Sequence, residues 1–400
     1  MENGAECLGG VARRLGGALL LVAGLSLANA VAADGMTGAV RAPRVELGSS
    51  AAWSPDGVLH AVTKQGEHVM LYRSVDGGAN WSVPVVVNAV PEAISADGEN
   101  RPKLAFARDG GLLVSWTRPL GKPFSGEIRL ARSDDGQRFA PPFTVHRDRQ
   151  EITHRFDALR VLRDGRVVVA WIDKRDLEAA NAAGQPYRGA AIYAAQSTDH
   201  GRSFAPEIRI ADHSCECCRI ALGEDADGSA LVLWRHVFEP NERDHALARL
   251  DGEGRPLEVV RATFDRWAVD GCPHHGPSLA LTDDGTRHAV WFNQRDGKGR
   301  VFYGRLVAGG VDGQRTVGGE RAAHADIAAA GSRVAIVWKE FDGDATVLHA
   351  MVSEDGGASF TSRVLARSRG ASDQPRVIAG SGGLLAFWRT AEEGMRGYAL

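Results

Sequence analysis

Cysteine, tyrosine and methionine each occur only five times among 400 residues, and aromatic residues of all kinds make up 7%. Five tyrosines leave few candidates for chemistry that needs a phenol. No apolar run approaches the roughly twenty residues that a membrane-spanning helix needs; the longest covers residues 15–27, near the N-terminus. Positive charge is not in excess either: 47 Lys and Arg stand against 50 Asp and Glu, for a net charge of -3. That balance excludes the broad positive field of a non-specific nucleic-acid binder. Glycine, in contrast, is plentiful. Its 48 copies point to a chain cut up by tight turns, in which long helices are not expected. With 44% hydrophobic and 24% charged residues, the chain has enough apolar material for a full core.

The N-terminus reads as a targeting segment. Arg13 and Arg14 precede the apolar run, and Ala28-Asn29-Ala30 supplies the small-x-small pattern of a cleavage site, although Glu2 and Glu6 weaken the basic start. The expectation is a signal peptide over residues 1–30 and a single domain over residues 31–400, periplasmic or secreted and monomeric. Cys7 then leaves with the signal. Cys215, Cys217, Cys218 and Cys272 remain, in an oxidising compartment where thiols rarely stay free without a reason.

Repetition dominates the rest of the chain. A short apolar strand, a turn usually reading Asp-Gly and a second apolar strand ending in Trp recur, as in residues 103–106, Asp109-Gly110 and 112–116. Trp116, Trp171, Trp234, Trp291, Trp338 and Trp388 close six such units, and a seventh without the final Trp stands first, around Trp53 and Asp56-Gly57. Successive tryptophans lie 47 to 63 residues apart, room for four short strands and their turns. Such a unit has the size of one propeller blade, so the fold class expected is an all-β propeller of four-stranded blades, seven in number, with six as the alternative. The last unit has room for only three strands. Residues 40–47 are therefore expected to close the ring as the outer strand of the last blade, which would remove an exposed edge.

The turn after the third strand carries a second signature. Residues 74–81, 197–204 and 353–360 fit Ser-x-Asp-x-Gly-x-x-aromatic, and residues 133–139 form a variant one residue shorter. This resembles the Asp-box of the sialidase-like, or BNR-repeat, propellers. In such a turn Asp76, Asp199 and Asp355 are read as turn-formers, because a side-chain oxygen there caps backbone N–H groups. The resemblance also implies an activity to look for. Sialidases place three arginines around a substrate carboxylate, with a Tyr-Glu nucleophile pair, an Asp acid/base and an Arg-Ile-Pro motif. Guanidinium forks match a carboxylate in parallel hydrogen bonds.

Here Asn100-Arg101-Pro102-Lys103 looks like Arg-Ile-Pro with its middle residue missing, and Arg219 and Arg376 occupy the same stretch of other units. Arg101, Arg155, Asp157, Arg219, Asp326 and Arg376 are the candidate ligand-binding residues, with Asp157 as the candidate acid. The alternative is a ring of ion pairs in which the arginines meet Asp157, Asp326 and Asp373. No tyrosine begins an inner strand, so the catalytic set does not carry over, and turnover of a sialoside stays an alternative to simple binding of a small anionic or glycan ligand.

The Asp-box resemblance does not account for His213-Ser214-Cys215-Glu216-Cys217-Cys218 and Cys272-Pro273-His274-His275, which precede the first strands of two consecutive units. Strands of that kind converge on a propeller axis. Cys215, Cys217, Cys218, Cys272, His274 and His275 are therefore candidate ligands for copper or zinc, for which thiolate and imidazole are suited. A disulfide frame and a redox-active thiol pair remain the alternatives.

Overall fold

The computed structural model describes residues 45–400. The signal segment expected over residues 1–30 lies outside them. Seven antiparallel sheets follow one another along the chain; six have four strands, and the seventh has three among the described residues. The first strand of each blade lies beside the first strand of the next, and the last ring contact joins Arg376–Gly380 to Ser49–Trp53. The result is a closed seven-bladed β-propeller whose inner strands surround the axis. Among the described residues the only α-helix is the short Arg175–Ala182.

The Asp-Gly pairs make the hairpins between first and second strands. Gly110 has φ +85° and Gly165 φ +93°, a region that residues with a Cβ rarely enter. Second strands such as Val167–Asp173 are buried along their whole length, because a neighbouring blade covers each face. The apolar core is accordingly divided into seven clusters, each bridging one pair of adjacent blades. The cluster between the last blade and the first has the fewest buried members: Leu59, Ala61, Ile378, Leu385 and Phe387.

The recurring tryptophans are wedged into these interfaces, and all six are at most 4% exposed, so they are core residues rather than a sugar-stacking surface. Five have an indole N–H partner; Trp171 donates to Asp173 Oδ2 at 2.9 Å and Trp338 to Glu340 Oε1 at 2.7 Å.

The Ser-x-Asp turns share one hydrogen-bond scheme. Ser197 Oγ donates to Asp199 Oδ1 at 2.7 Å and accepts from Gly201 N at 2.8 Å, while Ser203 N donates to Asp199 Oδ1 at 2.9 Å. Ser74-Asp76-Gly78-Asn80 and Ser353-Asp355-Gly357-Ser359 repeat it. The aromatic residue ending each turn packs on the preceding blade, Trp81 on Phe387 and Phe360 on Tyr303.

Ring closure differs in one respect from the sequence expectation. Residues 45–47 belong to no strand, and Gly48 N donates to Ala96 O at 3.0 Å just before the chain enters its innermost strand. A chain cannot leave an outer edge and reach the axis within two residues, so this part of the stretch does not pair onto the last blade; residues 40–44 lie outside the described residues. Neighbouring blades flank the third strand instead. Trp81 Nε1 donates to Met395 O at 3.0 Å, and Arg363 Nη2 donates to Ala399 O at 2.5 Å.

Candidate functional site

All the candidate residues gather on the face where inner strands begin. Three entry segments there carry bulky residues at positive φ: Phe156 at +57°, His274 at +53° and His324 at +53°. Such backbone costs on the order of 1–3 kcal/mol per residue and persists only where the surroundings over-determine it. Phe156 sits at a bulge that shifts the register between Ala170 and Ile172, which turns Asp157 inward.

Arg101, Arg219 and Arg376 do face one another, but each also has internal partners. Arg101 Nη1 lies 2.8 Å from Asp373 Oδ2 and also donates to Ser49 O, while its Nη2 donates to Gln374 Oε1 at 3.1 Å. Asp373 Oδ2 additionally accepts from Ser49 N and Oγ, both at 3.0 Å. Asp373 belongs to the last blade and Ser49 to the first, so Arg101 is a clasp over the thinnest seam of the ring. Burial, then the charges of Arg376 and Arg219, push its guanidinium below the usual value, with Asp373 opposing.

Arg219 is buried. Its Nε donates to Pro277 O at 2.8 Å and its Nη2 lies 3.6 Å from Asp326 Oδ1, while Nη1 has no partner among the described residues. Arg376 is a third exposed, with Nε 3.4 Å from Asp326 Oδ2. Asp326 thus stands between two of the three arginines.

Asp157 is fully buried, and its carboxylate accepts from Ser115 Oγ at 2.6 Å and Lys103 Nζ at 3.2 Å. Arg155 lies apart from the trio. It points toward Asp97 at 3.8 Å and carries its charge near Cys217.

Glu99 had no signal in the sequence, being one acid among fifty in a loop of ordinary composition. From the entry loop of the second blade it reaches across the axis to the fourth and fifth. Its carboxylate accepts from Arg219 N at 2.8 Å and Gly276 N at 2.9 Å. Below it runs an axial cavity of about 740 Å³. Arg219, Arg376 and Lys103 lie at the Glu99 end, small apolar side chains such as Ala158 and Ile327 form the walls, and the Asp283 hairpin lies at the other end. No tyrosine is among its lining residues. Tyr193 and Tyr187 instead hydrogen-bond to Asp176 and Asp212.

Three of the cysteines meet beside this cavity. Cys215, Cys217 and Cys218 are buried, with their Sγ atoms all within 4.8 Å of one another; Cys215 Sγ is 3.9 Å from that of Cys217 and 3.7 Å from that of Cys218. Cys272, on the next entry loop and exposed, lies outside this close trio of sulfurs. All four are free thiols. Hydrogen bonds from the other thiols pull Cys215 below the usual thiol range, while burial raises Cys218. The histidines are not in this donor group. His275 stacks on His324 with ring centroids 4.2 Å apart, and burial pushes it down to about 3, so it is a neutral imidazole. His274 faces Asp97.

No family model and no curated protein sequence matches the chain. Solved structures do. A PL25 ulvan lyase bound to -[GlcA(1-4)Rha3S]- superposes with a TM-score of 0.56 at 13% identity, over 88% of this chain and 91% of its own. A Dyadobacter fermentans protein of unknown function gives 0.53 at 17% identity, over 78% and 95%. An α-L-arabinofuranosidase from Fusarium graminearum, in complex with an iminosugar inhibitor, gives 0.50 at 12% identity, over 74% and 90%. At these identities the shared property is the propeller fold.

Proposed function

We propose that this protein binds a small anionic ligand, of the carboxylate-bearing sugar class, in its axial cavity. The observation that carries the reading is Arg219 Nη1, a buried guanidinium nitrogen without a partner among the described residues, lining the same cavity as the part-exposed Arg376. A buried donor left unpaired costs about 1–3 kcal/mol, so an incoming carboxylate that satisfies it recovers that penalty. Lys103 adds a third positive group at the same end. Because Glu99 lies across the entry-face end, the ligand reaches the arginines from the hairpin face, with its anionic group leading.

The four Ser-x-Asp turns are read as Asp-boxes of the sialidase-like type, and the sugar class follows from the company the fold keeps: a lyase bound to a GlcA-containing saccharide and an arabinofuranosidase. The reading is binding rather than sialoside hydrolysis, since the carboxylate of Asp157 is taken up by Lys103 and Ser115 and no tyrosine stands beside it. Export is part of the reading and rests on residues 1–30; cleavage near Val31, found by N-terminal sequencing of the exported protein, checks it.

Calorimetry with glucuronate and N-acetylneuraminate tests the binding. Saturable binding of at least one, lost in Arg376→Ala, is the expected result. Absence of binding to both, or binding unchanged by the substitution, removes the reading.

A further inference from the structure

Three buried sulfurs from one turn meet outside the axial cavity, and anion binding gives them no role. Cys215, Cys217 and Cys218 lie on the turn that leads from the outer strand Ile208–Ser214 to the inner strand Ala221–Glu224. Cys215 N donates to Arg235 O at 2.9 Å, which pins the start of this turn to the adjacent strand. Glu216 points away to pair with Lys174. Cys-Glu-Cys-Cys thereby turns three thiols to one side, and Cys272 arrives from the loop before Ser278–Leu281.

The spacing of the sulfurs discriminates between the chemistries left open by the sequence. A disulfide requires sulfurs about 2.05 Å apart. Tetrahedral ligation with metal–sulfur bonds of about 2.3 Å sets ligand sulfurs about 3.8 Å apart. Cys215 Sγ lies 3.9 Å from that of Cys217 and 3.7 Å from that of Cys218, far from the first value and close to the second. The surroundings also suit a negatively charged cluster: Arg155 brings positive charge near Cys217, and Arg235 does the same near Cys215.

We propose that the clustered Cys215, Cys217 and Cys218 form a thiolate site for one soft, closed-shell metal ion, copper(I) or zinc(II), on which the exposed Cys272 of the next loop closes as the fourth ligand, so that the ion joins the entry loops of the fourth and fifth blades. An all-sulfur donor set is the softest a protein offers and ranks copper(I) first. Each ligating thiol gives its proton to solvent as the ion binds. The exposed Cys272 marks the side from which the ion enters, while the other three sulfurs are shielded by the blades. His274 and His275, candidate ligands by sequence, are assigned no coordination. The joined loops carry Arg219 and Gly276, whose N–H groups hold Glu99, so occupancy of the site also stiffens the seal across the axis.

The test uses the whole chain, reduced and stripped of metal under anaerobic conditions, then titrated with copper(I) or zinc(II) against a chromophoric chelator. The expected result is one equivalent bound, four thiols protected from a thiol reagent until chelator and denaturant are added, and a melting temperature that rises with free metal. The ion that withstands the stronger chelator identifies the occupant.

Cys217→Ser and Cys272→Ser should each weaken binding by at least the roughly 100-fold that losing an outer-shell partner can cost. If Cys217→Ser does not fold, the double change His274→Ala with His275→Ala decides, since it leaves all sulfurs in place and should retain full stoichiometry. Reduced protein that holds neither ion overturns the proposal, as does loss of the metal in the histidine variant. Exported protein with all four cysteines in disulfides would overturn it too.

Discussion

At the scale of single residues, the axial face is governed by groups that answer to one another across the ring. Asp373 illustrates this: one carboxylate oxygen takes hydrogen bonds from Ser49 and Arg101, which come from two other blades. Changing Asp373 to Ala leaves the Arg101 guanidinium buried without its counter-charge, a loss that typically costs about 3–5 kcal/mol. Urea unfolding should report a drop of that size. Gly276 answers to a different constraint. A Cβ there would overlap the backbone of Arg219, so Gly276→Ala must push that strand entry away from Glu99. Overpacking of this sort costs about 1–3 kcal/mol, and an unchanged urea midpoint would show that the contact with Glu99 is loose.

At the scale of elements, the Ser-x-Asp turns behave as small electrostatic units. Burial works against the Asp199 carboxylate, but hydrogen bonds from Ser203 and Ser197 bring it down to about 2. Asp76, held chiefly by the backbone N–H of Asn80, also falls to about 2. The folded value lies below the ordinary 3.8, so the contribution to stability is fully present above that pH and is lost as pH falls through about 2. The expected outcome is a melting temperature level down to about pH 4 and falling from there to pH 2. Asp199→Asn should flatten part of that slope, because an amide no longer titrates.

For the whole molecule, the seven inter-blade cores are unequal, and the seam between the last blade and the first is the thinnest. Its polar clasp, Arg101 with Asp373 and Ser49, offsets part of that deficit. Stability in such a ring is not uniform, and opening starts where the least apolar surface is shared. Hydrogen exchange should therefore be fastest among the paired amides of Ser49–Trp53 and Arg376–Gly380, and slowest in Val167–Asp173. Removing residues 394–400 would uncover Trp81 and the seam together, and should lower the melting temperature by more than the Asp373 change alone.

The sequence by itself determined the repeat. Asp-Gly hairpins, one tryptophan per unit and the Ser-x-Asp turns are local patterns, and each dictates its own short-range hydrogen bonds and burial wherever it occurs. From those the blade count, the strand order and the structural role of Asp76, Asp199 and Asp355 were legible. Ring closure was not, because whether residues 45–47 pair at an edge or lead into the axis depends on where the two ends of the chain meet. The same holds for the site. Sequence could list Arg101, Arg219, Arg376 and the cysteines as neighbours by register, yet only the closed ring decided that Arg101 clasps a seam, that Glu99 crosses the axis, and that sulfurs meet while His274 and His275 turn elsewhere. Those outcomes depend on distances of a few ångströms between residues far apart in the chain, which strand periodicity does not encode.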